Sequence, residues 1–127
     1  MNRYRLIDVE VVDGDTIEST IILGHDLKWL NRRIRFSGID AYEVRVRKSW
    51  TKGLSVREIR GRLILGLRAK NHVVEKLTSA DSVSLQSELK QDNFGRFLGV
   101  IYYTKDGQEV NLNQELVSSG VAIKKDY

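Results

Sequence analysis

The residues of this 127-residue chain that could do chemistry are carboxylates and guanidinium groups. It has no cysteine, which excludes a disulfide framework, a thiolate metal site and a thiol nucleophile, and its two histidines are too few for an imidazole metal cage. Oxygen and arginine chemistry remain. Asp13-Gly14-Asp15-Thr16 sets two carboxylates two positions apart. Taken alone, Asp-Gly is a hairpin-turn signal and explains Asp13 without a ligand role. Asp40 adds a carboxylate where an alternating stretch ends, and alone it reads as a loop-starting aspartate. Two such carboxylates with a backbone carbonyl and waters suit a hard cation, calcium or magnesium rather than zinc.

Arg35, Asp40 and Glu43 fall within nine residues, and Arg96 follows Asp92-Asn93-Phe94-Gly95. The set therefore holds metal ligands, a base and two guanidinium groups. The planar fork of arginine matches two phosphate oxygens at once, so a pair of arginines can neutralise charge building on a pentacoordinate phosphorus. Each arginine read singly is a surface charge, and only the combination points to phosphoryl chemistry.

Charge placement points to a polyanion. The net charge is +4, yet residues 32–70 hold twelve basic against three acidic side chains, leaving the rest of the chain at −5. Such a basic region is drawn to nucleic acid before membrane, the alternative being a solvated helix. Trp50 stands among Arg45, Arg47, Lys48 and Lys52, where an indole can stack on an unpaired base while the cations track the backbone. Single-stranded or locally melted substrate would follow. No apolar run approaches the roughly 20 residues of a membrane-spanning helix, and acidic side chains replace a signal-peptide core in the first twenty positions.

These residues need elements to hold them. Alternation predicts strands over Tyr4 to Val12, Thr16 to Leu23 and Arg33 to Ile39, with Asp40 at the end of the third. Ser55 with Glu58 forms a capping-box pattern, and Val56, Ile59, Leu63, Leu67, Val74 and Leu77 recur at helical spacing, interrupted by Gly61 and Gly66. Gly61 is a point where that helix can split. Ser82 to Leu89 and Phe97 to Tyr103 supply two further strands, Asp106-Gly107 turns the chain, and Leu112, Leu116 and Val117 mark a short helix that Gly120 ends. The result is a mainly β chain with helices (α+β): a five-stranded OB-fold Greek-key barrel, a long helix between strands three and four, and a short C-terminal helix. One domain, 1–127, is expected, with no repeat or linker.

Val12-Asp13-Gly14-Asp15-Thr16, then Arg35 to Glu43, then Gly95-Arg96, in that order, resemble the staphylococcal nuclease (thermonuclease) family. Asn113-Gln114-Glu115-Leu116-Val117-Ser118-Ser119-Gly120-Val121-Ala122 is similar to a segment on that family's second helix. The resemblance implies a calcium-dependent phosphodiesterase that cuts DNA or RNA to a 3′-phosphate and a 5′-hydroxyl. It makes Asp15 and Asp40 the carboxylate ligands, with the main-chain carbonyl of Ala41 beside them. Asp13 falls in the outer shell, and Thr16 assists through a bound water. Glu43 matches the general base, and Arg35 and Arg96 match the phosphate-binding arginines. A nucleic-acid substrate, no membrane and a monomer are the implied partners and state.

The sequence also departs from that family. Tyr42 stands where a proline usually precedes the glutamate, and Asn93 and Phe94 replace a lysine and a tyrosine that contact a terminal phosphate. The family's last helix has no counterpart before Tyr127. Gly24 to Arg32 reads as a long connection whose Leu27, Trp29 and Leu30 form a small satellite core, in preference to a substrate or dimer contact. His25 and His72 read as surface or helix residues without a serine or carboxylate partner. Two other classes fit less of the chain. A catalytically silent nuclease-like module that binds nucleic acid would typically have lost an acidic ligand or an arginine, and a protein-interaction barrel leaves the basic stretch unexplained.

Overall fold

The computed structural model describes residues 2–125, so the expected domain, 1–127, extends past the described residues at both ends. Alternating apolar and polar residues build three long antiparallel strands, β1 (Asn2–Asp13), β2 (Thr16–Gly24) and β3 (Leu27–Phe36). β5 (Ser82–Ser87) pairs with β1, and β6 (Phe97–Lys105) pairs with β5 on one side and, in parallel, with β3 on the other. The order β3-β2-β1-β5-β6 returning to β3 closes a five-stranded barrel and gives the expected OB-like α+β fold. Its interior is filled by Leu6, Ile17, Ile21, Ile34, Phe36, Leu85 and Ile101, all almost fully buried.

The long helix follows the sequence signals in place but not in packing, and a short turn of helix precedes it where a polar, basic connection over Val44 to Gly53 is expected. α1 (Lys48–Thr51) is a single turn, and α2 (Val56–Ser79) starts with a complete capping box in which the Glu58 N–H donates to Ser55 Oγ at 3.1 Å. Gly61 does not split α2. The periodic apolar set is not its buried face either, since Val56, Leu67 and Val74 are exposed while Gly66, Ala69 and Val73 are buried. Small residues win that face because the helix comes closer to the barrel than larger side chains allow. A Cβ at Gly66 would lie 2.7 Å from the Tyr42 carbonyl oxygen and closer still to that of Glu43. A Cβ at Gly14 would lie 3.0 Å from the Ala41 Cβ and closer still to that of Ala69.

Two expected boundaries near the site change, and one strand is added. The stretch from Gly24 to Arg32 is not a long loop with a satellite core: the chain reverses at His25-Asp26, with Asp26 at φ 57°, and β3 begins at Leu27. Leu27 and Leu30 are exposed, and only Trp29 joins the core, stacking on Phe97 at 5.1 Å. The third strand ends at Phe36, because Gly38 at φ 76° turns the chain, and Asp40 lies on a separate short strand, β4 (Ile39–Asp40). Asp106-Gly107, with both φ values positive, is a two-residue turn joining β6 to β7 (Gln108–Asn111), a strand the sequence pattern did not reveal.

The C-terminal segment ties these pieces together. α3 (Leu112–Ser118) buries Leu112 and Leu116, and β8 (Ile123–Lys124) pairs with β4, setting Asp40 opposite Ile123. Buried Asn113 works as a three-way clamp. Its Nδ2 donates to the carbonyls of Ser37 (2.8 Å) and Gly99 (3.2 Å), and its Oδ1 accepts from the Ile101 N–H (3.1 Å). His72 does have a carboxylate partner: its Nε2 lies 2.7 Å from Glu115 Oε1, and the Tyr103 hydroxyl donates to Glu115 Oε2 at 2.7 Å. This cluster joins α2, α3 and β6 through residues 43 and 12 positions apart, a separation that no local pattern displays.

Two glycines of α2 should respond to alanine with opposite signs. Gly61→Ala meets open space and should raise stability by up to about 1 kcal/mol, the ordinary helix-propensity gain. Gly66→Ala should cost about 1–3 kcal/mol by overpacking, and thermal melting followed by circular dichroism compares the two. Glu115 gives a pH test. Burial pushes its carboxyl up, but the His72 and Tyr103 hydrogen bonds prevail and hold it below its ordinary 4.5. A depressed carboxyl stabilises the fold above its unfolded value and loses that contribution as pH falls. Wild type should therefore melt above Glu115→Gln at pH 7, by a difference of about 1 kcal/mol that closes as the carboxyl is protonated below its ordinary 4.5.

Candidate active site

Strand pairing explains why the carboxylates and Arg35 meet. In the β2–β3 register Thr16 lies opposite Arg35, and the Phe36 N–H donates to the Asp15 carbonyl at 2.8 Å, so the Gly14-Asp15 turn sits beside the end of β3. Gly14 is there for closeness to Ala69 and Ala41, not for a left-handed φ, and the turn is centred on Gly14-Asp15. The Asp-Gly pair is thus not the hairpin turn its sequence suggests.

At this junction Arg35 is buried, not the surface charge that an arginine read singly suggests. Its Nη1 lies 3.2 Å from Asp15 Oδ2 and donates to the Phe36 carbonyl at 3.1 Å, and its Nη2 lies 3.1 Å from Asp40 Oδ1. One guanidinium therefore bridges two carboxylates from different turns. The Ala41 N–H donates to Asp15 Oδ2 at 2.8 Å, and the Thr16 hydroxyl to Asp15 Oδ1 at 3.1 Å. Asp13 Oδ1 accepts from the Asp15 N–H at 3.1 Å. Lys125 Nζ, which the sequence reading did not include, lies 3.2 Å from Asp40 Oδ2, carried there by the β4–β8 pairing.

The electrostatics of the junction are uneven. Burial first, then the neighbouring Asp13, push Asp15 up to about 7, while Arg35 and the Ala41 N–H pull the other way without cancelling them. The donors are all oxygen, the chemistry a hard cation takes, and a divalent charge there would offset what Arg35 leaves uncompensated. Among the described residues no group of three or more His, Cys, Asp or Glu side chains forms a ready cage, so carbonyl and water oxygens would have to complete one.

Glu43 stands apart from that junction. It is exposed, its Oε2 is 3.1 Å from Arg47 Nε, and it lines a cleft of about 240 Å³ with Asp13, Arg33, Arg45, Arg47 and Lys70. Arg33 and Lys70 were not singled out from the sequence, and the excess of basic residues there was the one signal for them. The close approach at Gly66 fixes the backbone of Tyr42 and Glu43, which orients this loop without the family's proline. Lys48 and Trp50 lie in α1 and Lys52 at its end; the Trp50 indole donates to the Arg45 carbonyl at 3.0 Å, so part of its role is to brace the loop.

Arg96 belongs to a third cluster. Its Nε donates to Asp92 Oδ2 at 2.9 Å, and its guanidinium lies 5.3 Å from the Phe94 ring centre. Asp92 Oδ1 also accepts the Phe94 and Arg96 N–H groups, so this loop is organised by one aspartate, which those bonds hold below its ordinary value although burial pushes it up. The parallel pairing of Ile34 with Phe97 and Arg35 with Leu98 brings the backbone of Arg96 alongside β3. Its side chain is engaged with Asp92, not with Asp15 or Asp40.

A closed OB-like barrel with a carboxylate–guanidinium junction at one strand end and a basic cleft beside it defines a nuclease-type fold. The profile of the staphylococcal nuclease homologue family matches residues 33–127, well over half of the chain, and the chain belongs to that family. No curated protein matches it. The match begins at Arg33, so Asp13, Asp15 and Thr16 lie outside it and are joined to it by the β2–β3 pairing.

Arg35 and Arg96 should separate in stability. Arg35→Ala leaves Asp15 buried without its cation and should cost about 3–5 kcal/mol in urea unfolding. Arg96→Ala, in a partly exposed pair, should cost about 1 kcal/mol or less.

Proposed function

We propose that the chain is a metal-dependent phosphodiesterase that hydrolyses DNA or RNA and leaves 3′-phosphate ends. The observation that carries this reading is the bridge of Asp15 and Asp40 by buried Arg35, next to a cleft where Glu43 and Asp13 face several cations. Asp15, Asp40 and the Ala41 carbonyl would hold a calcium ion, which when bound polarises a phosphate oxygen. Asp13 and Thr16 would support Asp15 from behind.

The chain's own residues supply the rest. The cations of the cleft, among them Arg45 and Arg47, draw the polyanion in, with Lys48, Trp50 and Lys52 extending the track. Glu43, released from Arg47, takes a proton from the attacking water. Arg35 keeps the carboxylate pair at its spacing and faces the phosphate, and Arg96 exchanges Asp92 for a phosphate oxygen as charge develops. Catalytic contacts commonly tighten when substrate binds.

The pairing of Glu43 with Arg47 and of Arg96 with Asp92 also suits a second reading, a catalytically silent module that binds nucleic acid. Nicking of supercoiled plasmid with and without calcium, and with chelator, decides between them. On the first reading wild type nicks only with the metal, and Glu43→Gln and Arg96→Ala each lose about a hundredfold or more in rate while keeping a cooperative melting transition. Near-normal turnover in both variants removes the mechanism, and metal-independent silence of the wild type supports the binding module.

A further inference from the structure

The distal part of the β2–β3 hairpin, residues 24–32, is unused by the proposed chemistry, yet it carries a second constellation. There Trp29 stacks on Phe97 with ring centres 5.1 Å apart and planes 14° from parallel, and the Arg32 guanidinium lies 5.6 Å from the Trp29 ring centre. With Leu89 and Gln91 these residues wall an open groove of about 310 Å³. Beside it, on the loop leading into β6, Phe94 is 82% exposed with the Arg96 guanidinium near its ring.

We infer that this groove is a subsite for the bases of an unpaired nucleic-acid strand, which runs from Arg32 past Phe94 toward Arg96. The inference rests on the nucleic-acid reading above and names its substrate class as single-stranded. Three observations carry it. Flat rings and guanidinium planes are what splayed bases stack on, and a duplex keeps its bases stacked inside. Residues 27–34 hold Lys28, Arg32 and Arg33, all exposed, and no acidic residue, which suits a polyanion and opposes a second copy carrying the same cations. Parallel pairing of Ile34 with Phe97 sets the Phe97 wall of the groove beside β3 and brings the backbone of Arg96 next to it. Phe94, which cannot donate a hydroxyl hydrogen bond to a terminal phosphate, offers a base a face instead.

The chain has two tryptophans, so a Trp50→Phe variant leaves Trp29 as the sole indole reporter, and because Trp50 belongs to the binding track, retained binding is first established by the anisotropy of a labelled oligonucleotide. Its emission is followed during titration in chelator, where no metal-dependent cleavage occurs, with single-stranded oligothymidylate, the matching duplex and heparin. Saturable quenching by the single strand alone is expected, with Arg32→Glu in the same background weakening the apparent Kd by about tenfold, the scale of one lost base-stacking contact. No quenching by the single strand overturns the subsite. Equal quenching by heparin reduces the groove to a charged patch, and equal quenching by duplex removes the single-strand assignment. A chain that nicks plasmid but is not quenched refutes the subsite alone, and a chain that is quenched but never nicks refutes the nuclease reading alone.

Discussion

Everything at the candidate site depends on one buried guanidinium. Arg35 leaves water because protein acceptors replace its hydration, among them Asp15, Asp40 and the Phe36 carbonyl. A lysine could not take the position, since a single ammonium does not span two carboxylates from different turns. The bridge fixes the spacing of the acidic pair, while burial and the neighbouring Asp13 hold the Asp15 carboxyl above its ordinary value. Buried ion pairs of this kind contribute little net stability, so their retention is better explained by the geometry they impose.

That geometry is supported from behind by an unusually close helix. α2 reaches the Asp13–Thr16 turn and the loop of Tyr42 and Glu43 through Gly66 and Ala69, with Gly14 completing the contact from the barrel side. Close packing of backbone on backbone leaves little freedom to slide. The loop bearing Glu43 is held by this contact, so the absence of proline at Tyr42 is compensated by packing.

Much of this was legible in the chain itself. The barrel strands, the helix start at Ser55 and the residues Asp15, Arg35, Asp40 and Glu43 stand out by alternation, capping chemistry and charge type. Other features depend on contacts between distant segments and leave no local trace. The apolar period of α2 suggested a core face through Leu67 and Val74, but the closeness of the barrel selects glycine and alanine there instead. Gly24 and Asn31 resembled loop punctuation, whereas positive φ values at Asp26 and Asn31 are absorbed within a continuous hairpin. His72 looked partnerless because Glu115 is far along the chain. Lys125 joined Asp40 only through a two-residue strand pair too short to show a period.

The Asn113 clamp and the β4–β8 pair have a consequence for biosynthesis. Asp40 is translated early, but the turn that aims it is pinned by residues 113 and 123–125. A nascent polypeptide emerging from the ribosome, itself built of RNA, cannot set the acidic pair until this distal stretch has been made and has docked. The order of synthesis thus delays assembly of the arrangement until residues 113–125 have emerged.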